Sequence, residues 1–581
     1  MKFGHKINLE ITSYDEKGRG VGQIPLNLPL TRETSDTAEP LVKGAGRKAP
    51  WGPRPSTGDF RTIIVPFAAI GDELEATFVK RDYGVKICKL DKIVKAGPDR
   101  VDAVCQHAGT CGGCLWQHLS YDAQLAEKER GIHELFANLG LESALKPIIP
   151  ADETLGYRNR MDYCIGWNGE IGLKEYGSWN KYVDVKECYL MQTHLSLREK
   201  SPTHRKLRMQ AGVASDEAIH GTAADCHVVG LLAMTEKASD SARNNNPTGR
   251  ILQIIREFMS EFDLQPWDAK FHTGDMRHVV IRDGQNTKQR MIILVVKDAS
   301  RITDKARKYL IDKLESHCTS LLIGELTVPT DISLAERFET LIGEPWLEEN
   351  VNDITYRIHP NSFFQTNSAM AAKLQSTVLD ALSTFLCHSE RNAQTKGMKP
   401  RNPCFDSTEV LKGIPPLRSA AVGMTDRGDD KVLLDLYCGL GFFGIAAAKS
   451  DKGLKVWGYE LDEEAIKLAS QNAELNKVGD NCKFFSGKAE DLNWKDVPAD
   501  AVIIDPPRSG LHPKVIKTLL DDSSHPLPST IIYVSCNYHR LKDELPAFLQ
   551  KYEVTSIQPL DLFPQTPHVE VVVTMYRTSR T

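Results

Sequence analysis

Lys431-Val-Leu-Leu-Asp435-Leu-Tyr437-Cys-Gly439-Leu-Gly441-Phe-Phe-Gly444-Ile-Ala-Ala-Ala decides the fold of the C-terminal half. An apolar run, a glycine turn and an alanine-rich apolar run read as strand, tight turn and buried helix. The spelling G-x-G-x-x-G is followed by the run Lys455-Val-Trp-Gly-Tyr459 and by Glu460, 21 residues after Gly439. Read literally, this is the fingerprint of a dinucleotide-binding βαβ unit, which makes an NAD-dependent oxidoreductase one candidate. Strand-like and helix-like runs alternate from about residue 355 to the end, predicting a parallel sheet flanked by helices.

Charge separates the candidates. Asp435 ends the first strand, Glu460 the second, and Asp505 follows the apolar run Ala501-Val-Ile-Ile. In an open α/β sheet the ligand lies beyond the carboxyl ends of the strands, so these acids converge on one place. A pyrophosphate is a poor neighbour for three carboxylates. S-adenosylmethionine, with its sulfonium, ammonium and ribose diol, suits them: Glu460 is placed to accept from the ribose hydroxyls, and Gly439 and Gly441 let the backbone approach closely.

A further apolar run, Thr530-Ile-Ile-Tyr-Val-Ser535, ends in Cys536-Asn537 at the same predicted sheet end. A thiolate is the one side-chain nucleophile with an appreciable population near neutral pH, and Arg508 is a candidate for the positive group that raises that population. Near the C-terminus, Thr566-Pro-His-Val-Glu570 opens a last strand with a carboxylate. Thiolate, methyl donor and base together suit methylation of the C5 carbon of uracil. That carbon becomes nucleophilic when a thiolate adds at C6, and its proton must leave before the thiol is eliminated.

Asn361-Ser-Phe-Phe-Gln365-Thr-Asn367, Asp435-Leu-Tyr437-Cys-Gly439-Leu-Gly441, Asp505-Pro-Pro-Arg508-Ser-Gly510, Ser535-Cys536-Asn537 and Thr566-Pro-His-Val-Glu570 occur in the order found in the RNA uracil-5-methyltransferases, which this chain resembles over about 210 residues. The resemblance implies Cys536 as nucleophile, Glu570 as base, and Gln365, Tyr437, Glu460 and Asp505 as cofactor contacts. Two positions depart from the family. Phe442 stands where many members carry a small polar residue, and Tyr538-His-Arg follows Ser-Cys-Asn where proline and small residues are usual.

Thirteen cysteines in the chain, with no secretion signal recognised at Met1-Lys2-Phe3-Gly4, argue against a disulfide framework. Cys105, Cys111 and Cys114 form a C-x5-C-x2-C triplet, a ligand signal that needs a fourth donor. Cys164 and Cys188 are in range, with His107 and His118 as nitrogen donors, and spacing alone leaves zinc and iron–sulfur both open. The resemblance implies a [4Fe-4S] cluster held by the triplet and Cys188, in a structural or RNA-recognition role and not in methyl activation.

Patterning predicts three domains: a small β-barrel over 1–98 with an insertion at about 26–58, which the resemblance implies is TRAM-like; a central α+β domain over 99–350 with an insertion at about 200–247, which the resemblance implies is an iron–sulfur domain; and a Rossmann-like methyltransferase domain over 351–581 with an insertion at about 387–430. Alternating runs near Ile7–Ile11, Thr62–Pro66 and Asp72–Val79 carry the barrel expectation. Residues 1–95 hold 16 Lys and Arg against 12 Asp and Glu, in a chain whose net charge is -5, so affinity for RNA rests on local patches. Arg19, Lys80, Arg81, Tyr157, Arg158 and Arg160 are candidate RNA contacts. The resemblance implies RNA as substrate, with 23S rRNA before tRNA because cluster and TRAM module together resemble the rRNA-specific branch. No membrane span, no obligate protein partner and a cytoplasmic location are expected. A non-catalytic RNA-binding protein is the other alternative.

Overall fold

The computed structural model describes residues 3–25, 60–82, 84–191, 247–394, 431–491, 493–523 and 526–578. The insertions expected at 26–58 and 200–247 lie outside these apart from Pro247, and the one expected at 387–430 does so from residue 395 onward. The chain divides into two compact units, Met1–Thr154 with Asn350–Thr581, and Leu155–Glu349. Residues 99–154, placed with the central domain in the sequence reading, therefore fold within the first unit.

Five strands form a closed barrel in the order β1-β2-β3-β5-β4: β1 (Lys6–Tyr14), β2 (Gly20–Pro25), β3 (Phe60–Val65), β4 (Glu73–Asp82) and β5 (Val85–Lys95). Ile7, Leu9 and Ile11 point inward and the residues between them outward, the period of two that one buried face demands. Gly18 turns β1 into β2 with φ at 68°, and space as well as backbone requires glycine there. A Cβ would come within 2.7 Å of Pro567 and 2.8 Å of the Trp116 ring. The helix α1 (Tyr121–Ala137) follows, with the Ser120 hydroxyl accepting from the Ala123 N–H at 3.3 Å as its N-cap.

The second unit is built on a seven-stranded sheet in the order β12-β11-β10-β9-β6-β7-β8. Its strands are β6 (Arg160–Ile165), β7 (Ile171–Lys174), β8 (Tyr182–Asp184), β9 (Met276–Gly284), β10 (Gln289–Val296), β11 (Ser320–Glu325) and β12 (Arg337–Ile342). Two helices, α2 (Pro247–Glu261) and α3 (Asp304–Leu314), belong to this unit. Central β9 is buried along its whole length, and Arg290 is buried with Asp283 in a 2.7 Å ion pair.

Strands β13 (Leu347–Val351) and β14 (Ile354–Ile358) make a ribbon, followed by α4 (Ser368–Gln394). The last sheet has the order β17-β16-β15-β18-β19-β21-β20. Its elements are β15 (Lys431–Leu436), α5 (Phe442–Ser450), β16 (Leu454–Glu460), α6 (Glu463–Leu475), β17 (Cys482–Ser486), β18 (Ala501–Ile504), α7 (Pro513–Leu519), β19 (Thr530–Ser535), α8 (Leu541–Phe548), β20 (Tyr552–Leu560) and β21 (Glu570–Arg577). From β17 to β19 the strands are parallel, and β21 runs antiparallel to both neighbours. Successive residues divide between two cores. Leu433, Ile503 and Ile532 pack with Met370 and Leu374 of α4 and with α5, while Leu434, Val502 and Ile531 share a cluster with Ile132 and Phe136 of α1 and with Val515 and Leu545. Burial on both faces is why β18 reads Ala-Val-Ile-Ile without alternation.

Candidate active site

Parallel pairing brings the carboxyl ends of β16, β15, β18 and β19 to one edge. Leu436 is the register partner of both Tyr459 and Ile504, which sets Glu460, Tyr437 and Asp505 side by side one residue further on. The antiparallel entry of β21 completes the edge. Ser535 pairs with Val571, so the residues flanking that pair, Cys536 and Glu570, face each other. A single register thus joins two groups that sequence presents separately.

The glycine turn is shaped around Glu460. Gly439 and Gly441 adopt φ of 54° and 79°, and Tyr437, a non-glycine residue, is held at 63°. The Gly439 N–H donates to Glu460 Oε2 at 3.3 Å, while Glu460 Oε1 accepts from the N–H groups of Leu461 at 2.7 Å and Asp462 at 3.2 Å. One carboxylate oxygen of buried Asp435 accepts from the Gly444 N–H at 2.9 Å, and the other, Oδ1, has no partner. Nothing lies within 4 Å of where a Cβ at Gly439 would stand. An orphaned carboxylate oxygen and open space at the turn are the features that the ammonium and ribose of S-adenosylmethionine fit.

Crowded acid raises proton affinity. Burial first, then the Gly444 hydrogen bond in opposition and the Asp505 and Glu460 charges, set the Asp435 carboxyl at about 8. Burial and then Glu460 push Asp505 up to about 7. Burial and Asp505 hold the Glu570 carboxyl well above the usual carboxylate range, against the pull of Arg508. A dinucleotide pyrophosphate would add negative charge to this edge, whereas a cation would relieve it.

Cys536 is half-buried at the strand end, away from the packed cores. The charge environment differs from the one expected. Burial, then the Glu570 and Asp505 carboxylates, push its thiol up to about 12, although Arg508 pulls the other way by charge and by a hydrogen bond. Asn537 Nδ2 donates to the Arg508 carbonyl at 3.0 Å, tying the Ser-Cys-Asn turn to the Asp-Pro-Pro-Arg turn.

Gln365 is buried in the segment between β14 and α4. Asn367 of that segment donates to the Leu562 carbonyl at 3.1 Å, which binds the segment to the 561–569 loop ahead of Glu570. Phe442 belongs to the core. Its ring meets Tyr356, Phe364 and Phe443, and its carbonyl accepts from Tyr356 and Gln375. Tyr538 packs against α1, where a Cβ at Gly131 would come within 2.8 Å of its hydroxyl.

Sequence reasoning missed the buried pair of Lys128 and Asp561, 2.6 Å apart. Tyr121 also donates to Asp561, at 3.0 Å. Burial draws the Lys128 ammonium below its ordinary value despite the carboxylate beside it. Removing one partner of such a pair costs about 3–5 kcal/mol, because the other is left as an uncompensated buried charge.

The cysteine loop differs from expectation. The Cys105 and Cys111 sulfurs accept N–H bonds from His107 and Gly113, each at 3.4 Å, and Cys188 belongs to the second unit. Among the described residues no three His, Cys, Asp or Glu side chains converge as a metal site, so the triplet has the donor chemistry of a cluster and the structure shows no metal site there. Of the expected RNA contacts, Lys80 and Arg81 are exposed. Arg19 is buried in ion pairs with Asp15 at 2.6 Å and Asp82 at 3.7 Å, Tyr157 is core, and Arg160 pairs with Asp162 at 2.8 Å. No helix among the described residues is long and apolar enough to cross a membrane.

A parallel sheet turning at a glycine loop, with acid at three strand ends, defines a Rossmann-type S-adenosylmethionine-dependent methyltransferase. The family model for tRNA (uracil-5-)-methyltransferase matches residues 419–578. An uncharacterized RNA methyltransferase of Nanoarchaeum equitans is 31% identical over 525 residues, covering 89% of this chain and 90% of that protein. A tRNA (uracil(54)-C(5))-methyltransferase of Pyrococcus horikoshii is 31% identical over 515 residues, covering 89% of this chain and 96% of that one. The crystal structure of the Pyrococcus abyssi tRNA (uracil-54, C5)-methyltransferase with S-adenosyl-L-homocysteine superposes with a TM-score of 0.61 at 25% identity, covering 98% of this chain and all of that one. The chain belongs to the RNA uracil-5-methyltransferase family and is an S-adenosylmethionine-dependent enzyme.

Proposed function

We propose that this enzyme methylates C5 of a uridine in tRNA through a covalent bond between Cys536 and uracil C6, with Glu570 removing the C5 proton. The observation that carries the reading is the register pairing Ser535 with Val571, which sets thiol and carboxyl across from one another beside Asp505. Cys536 adds to C6, C5 takes the methyl group, and Glu570 accepts the C5 proton. The electron pair left at C5 re-forms the C5–C6 double bond and expels the thiolate. Arg508 steadies that thiolate on arrival and departure. Gln365, Tyr437, Gly439, Gly441, Glu460 and Asp505 line the cofactor site. When bound, S-adenosylmethionine supplies the methyl group and, as a cation, offsets the carboxylates that hold the Cys536 thiol up. A base stacked in folded RNA cannot reach a half-buried sulfur, so the target uridine is flipped out.

Transfer RNA takes precedence over the 23S rRNA that the resemblance of cluster and barrel implied, because relatives such as the Pyrococcus horikoshii and Pyrococcus furiosus proteins are tRNA (uracil(54)-C(5))-methyltransferases. Assaying the purified enzyme on unmodified tRNA and 23S rRNA transcripts, with mass mapping of the product, tests this; methylation of rRNA alone overturns it. The barrel, with Lys80 and Arg81 outward, is the RNA-handling module. For the Cys105, Cys111 and Cys114 triplet we retain a [4Fe-4S] cluster over zinc because the family resemblance implies it; two of the sulfurs accept backbone N–H bonds, as anionic thiolate ligands would. Anaerobically purified protein should then contain about four iron and four sulfide per chain. Stoichiometric zinc without sulfide overturns the cluster.

A further inference from the structure

The 561–569 loop joins β20 to β21 and ends at Glu570. Oxygen Oε1 of Glu570 has no hydrogen-bond partner, so its direction depends on the backbone that carries it. That backbone is gripped from α1. Lys128 Nζ lies 2.6 Å from Asp561 Oδ1 and donates to the Phe563 carbonyl at 3.2 Å. One turn earlier on the same helix face, Gln124 Oε1 accepts from the Gln565 N–H at 2.8 Å, and Gln124 Nε2 donates to Gln565 Oε1 at 3.0 Å. Gln565 is held at φ of 67°, a conformation a non-glycine residue keeps only when its surroundings impose it. Its carbonyl accepts from the N–H groups of Leu115 and Trp116, both at 3.0 Å, and Pro567 rests against Gly18 of the barrel. Gln124 and Lys128 are both buried and touch none of the strand-end acids by any hydrogen bond or ion pair described.

We infer that Gln124 and Lys128 are positioning residues for the base: by fixing the 561–569 loop they aim the Glu570 carboxylate at the C5 proton. The inference rests on the reading of Glu570 given above. The step affected is the last one, in which the C5–H bond breaks with its proton going to Glu570, C5 and C6 regain their double bond, and the C6–S bond breaks with its electron pair leaving on Cys536. Adduct formation and methyl transfer precede it and do not use Glu570. A loosened loop should therefore leave a methylated enzyme–RNA adduct waiting for release.

The test is a single-turnover reaction of the full-length protein with radiolabelled S-adenosylmethionine and an unmodified tRNA transcript, separating label in denaturation-resistant protein–RNA adduct from label in free RNA. Gln124→Leu and Lys128→Met should transfer methyl into the adduct at a near-normal rate but release RNA roughly 10- to 100-fold more slowly, the cost of misplacing a catalytic group by about 1 Å. Normal release by Gln124→Leu overturns the inference, as does loss of methyl transfer without adduct in a variant that unfolds at the wild-type temperature and binds the cofactor normally. If Lys128→Met fails to fold, Lys128→Met/Asp561→Leu removes both buried charges, and Gln124→Leu decides in any case. Glu570→Gln is the reference: absence of a methylated adduct in that variant refutes the base assignment itself, whatever the α1 variants do.

Discussion

Two cysteine regions of the first unit contrast. Cys536 stands at the end of a strand, where parallel pairing on one side and antiparallel pairing on the other bring Asp505 and Glu570 beside it. Cys105, Cys111 and Cys114 stand in a loop, where backbone N–H groups meet two sulfurs and, among the described residues, no group of three ligands converges. Sheet register assembles a site from backbone hydrogen bonds alone. A loop of thiols has no such template, and metal ligation is what would draw it together.

Glu570→Gln should lower turnover by about 10²- to 10⁴-fold, the usual contribution of a positioned base, with cofactor affinity unchanged. Equal loss of turnover and cofactor binding in calorimetry would place Glu570 in the cofactor site instead. Glu460→Gln should weaken S-adenosylmethionine binding roughly 10-fold or more, since hydrogen bonds to a charged acceptor contribute about 1.5–3 kcal/mol. Unaltered affinity would remove Glu460 from that site.

Proton release sharpens the account of the acidic edge. Asp435 at about 8 and Asp505 at about 7 bind protons more tightly than in the unfolded chain, where carboxyls titrate near 3.8. Their contribution to stability is complete below pH about 4 and is lost as pH rises through about 7 to 8. Without cofactor, the melting temperature should decline across that window from these two groups. Cofactor binding favours the ionised acids, so titration calorimetry near pH 6.5 in buffers of different ionisation enthalpy should register proton release. Proton uptake would contradict the assignment of a cation to this edge. The smallest effect belongs to the barrel: Lys80→Ala/Arg81→Ala should weaken tRNA binding about threefold and flatten its salt dependence. A salt slope identical to wild type would leave the barrel without a phosphate contact at these positions.

Strand ends were the readable part of the site. Asp435, Glu460, Asp505 and Cys536 each follow an apolar run, a local signal that survives without knowledge of strand order. The meeting of Cys536 with Glu570 is not local, because it depends on β21 inserting between β19 and β20. The Lys128–Asp561 pair joins residues 433 apart and has no signature in either neighbourhood. Charge sign also escaped the sequence. Arg508 beside Cys536 suggested an activated thiol, while burial and two carboxylates outweigh the guanidinium. Basic residues misled for a related reason: Arg19 and Arg160 are spent on internal carboxylates, which only the folded chain reveals.

The proposed reaction turns on a bond between Cys536 and the pyrimidine ring. Fluorine at C5 cannot leave as a proton does, so RNA containing 5-fluorouridine should trap the enzyme after methyl transfer. Incubated with that RNA and S-adenosylmethionine, the protein should form a denaturation-stable complex whose nucleotide-bearing peptide contains Cys536, and Cys536→Ala should form none and transfer no methyl group. A complex mapped to another cysteine, or turnover by Cys536→Ala, would contradict the account.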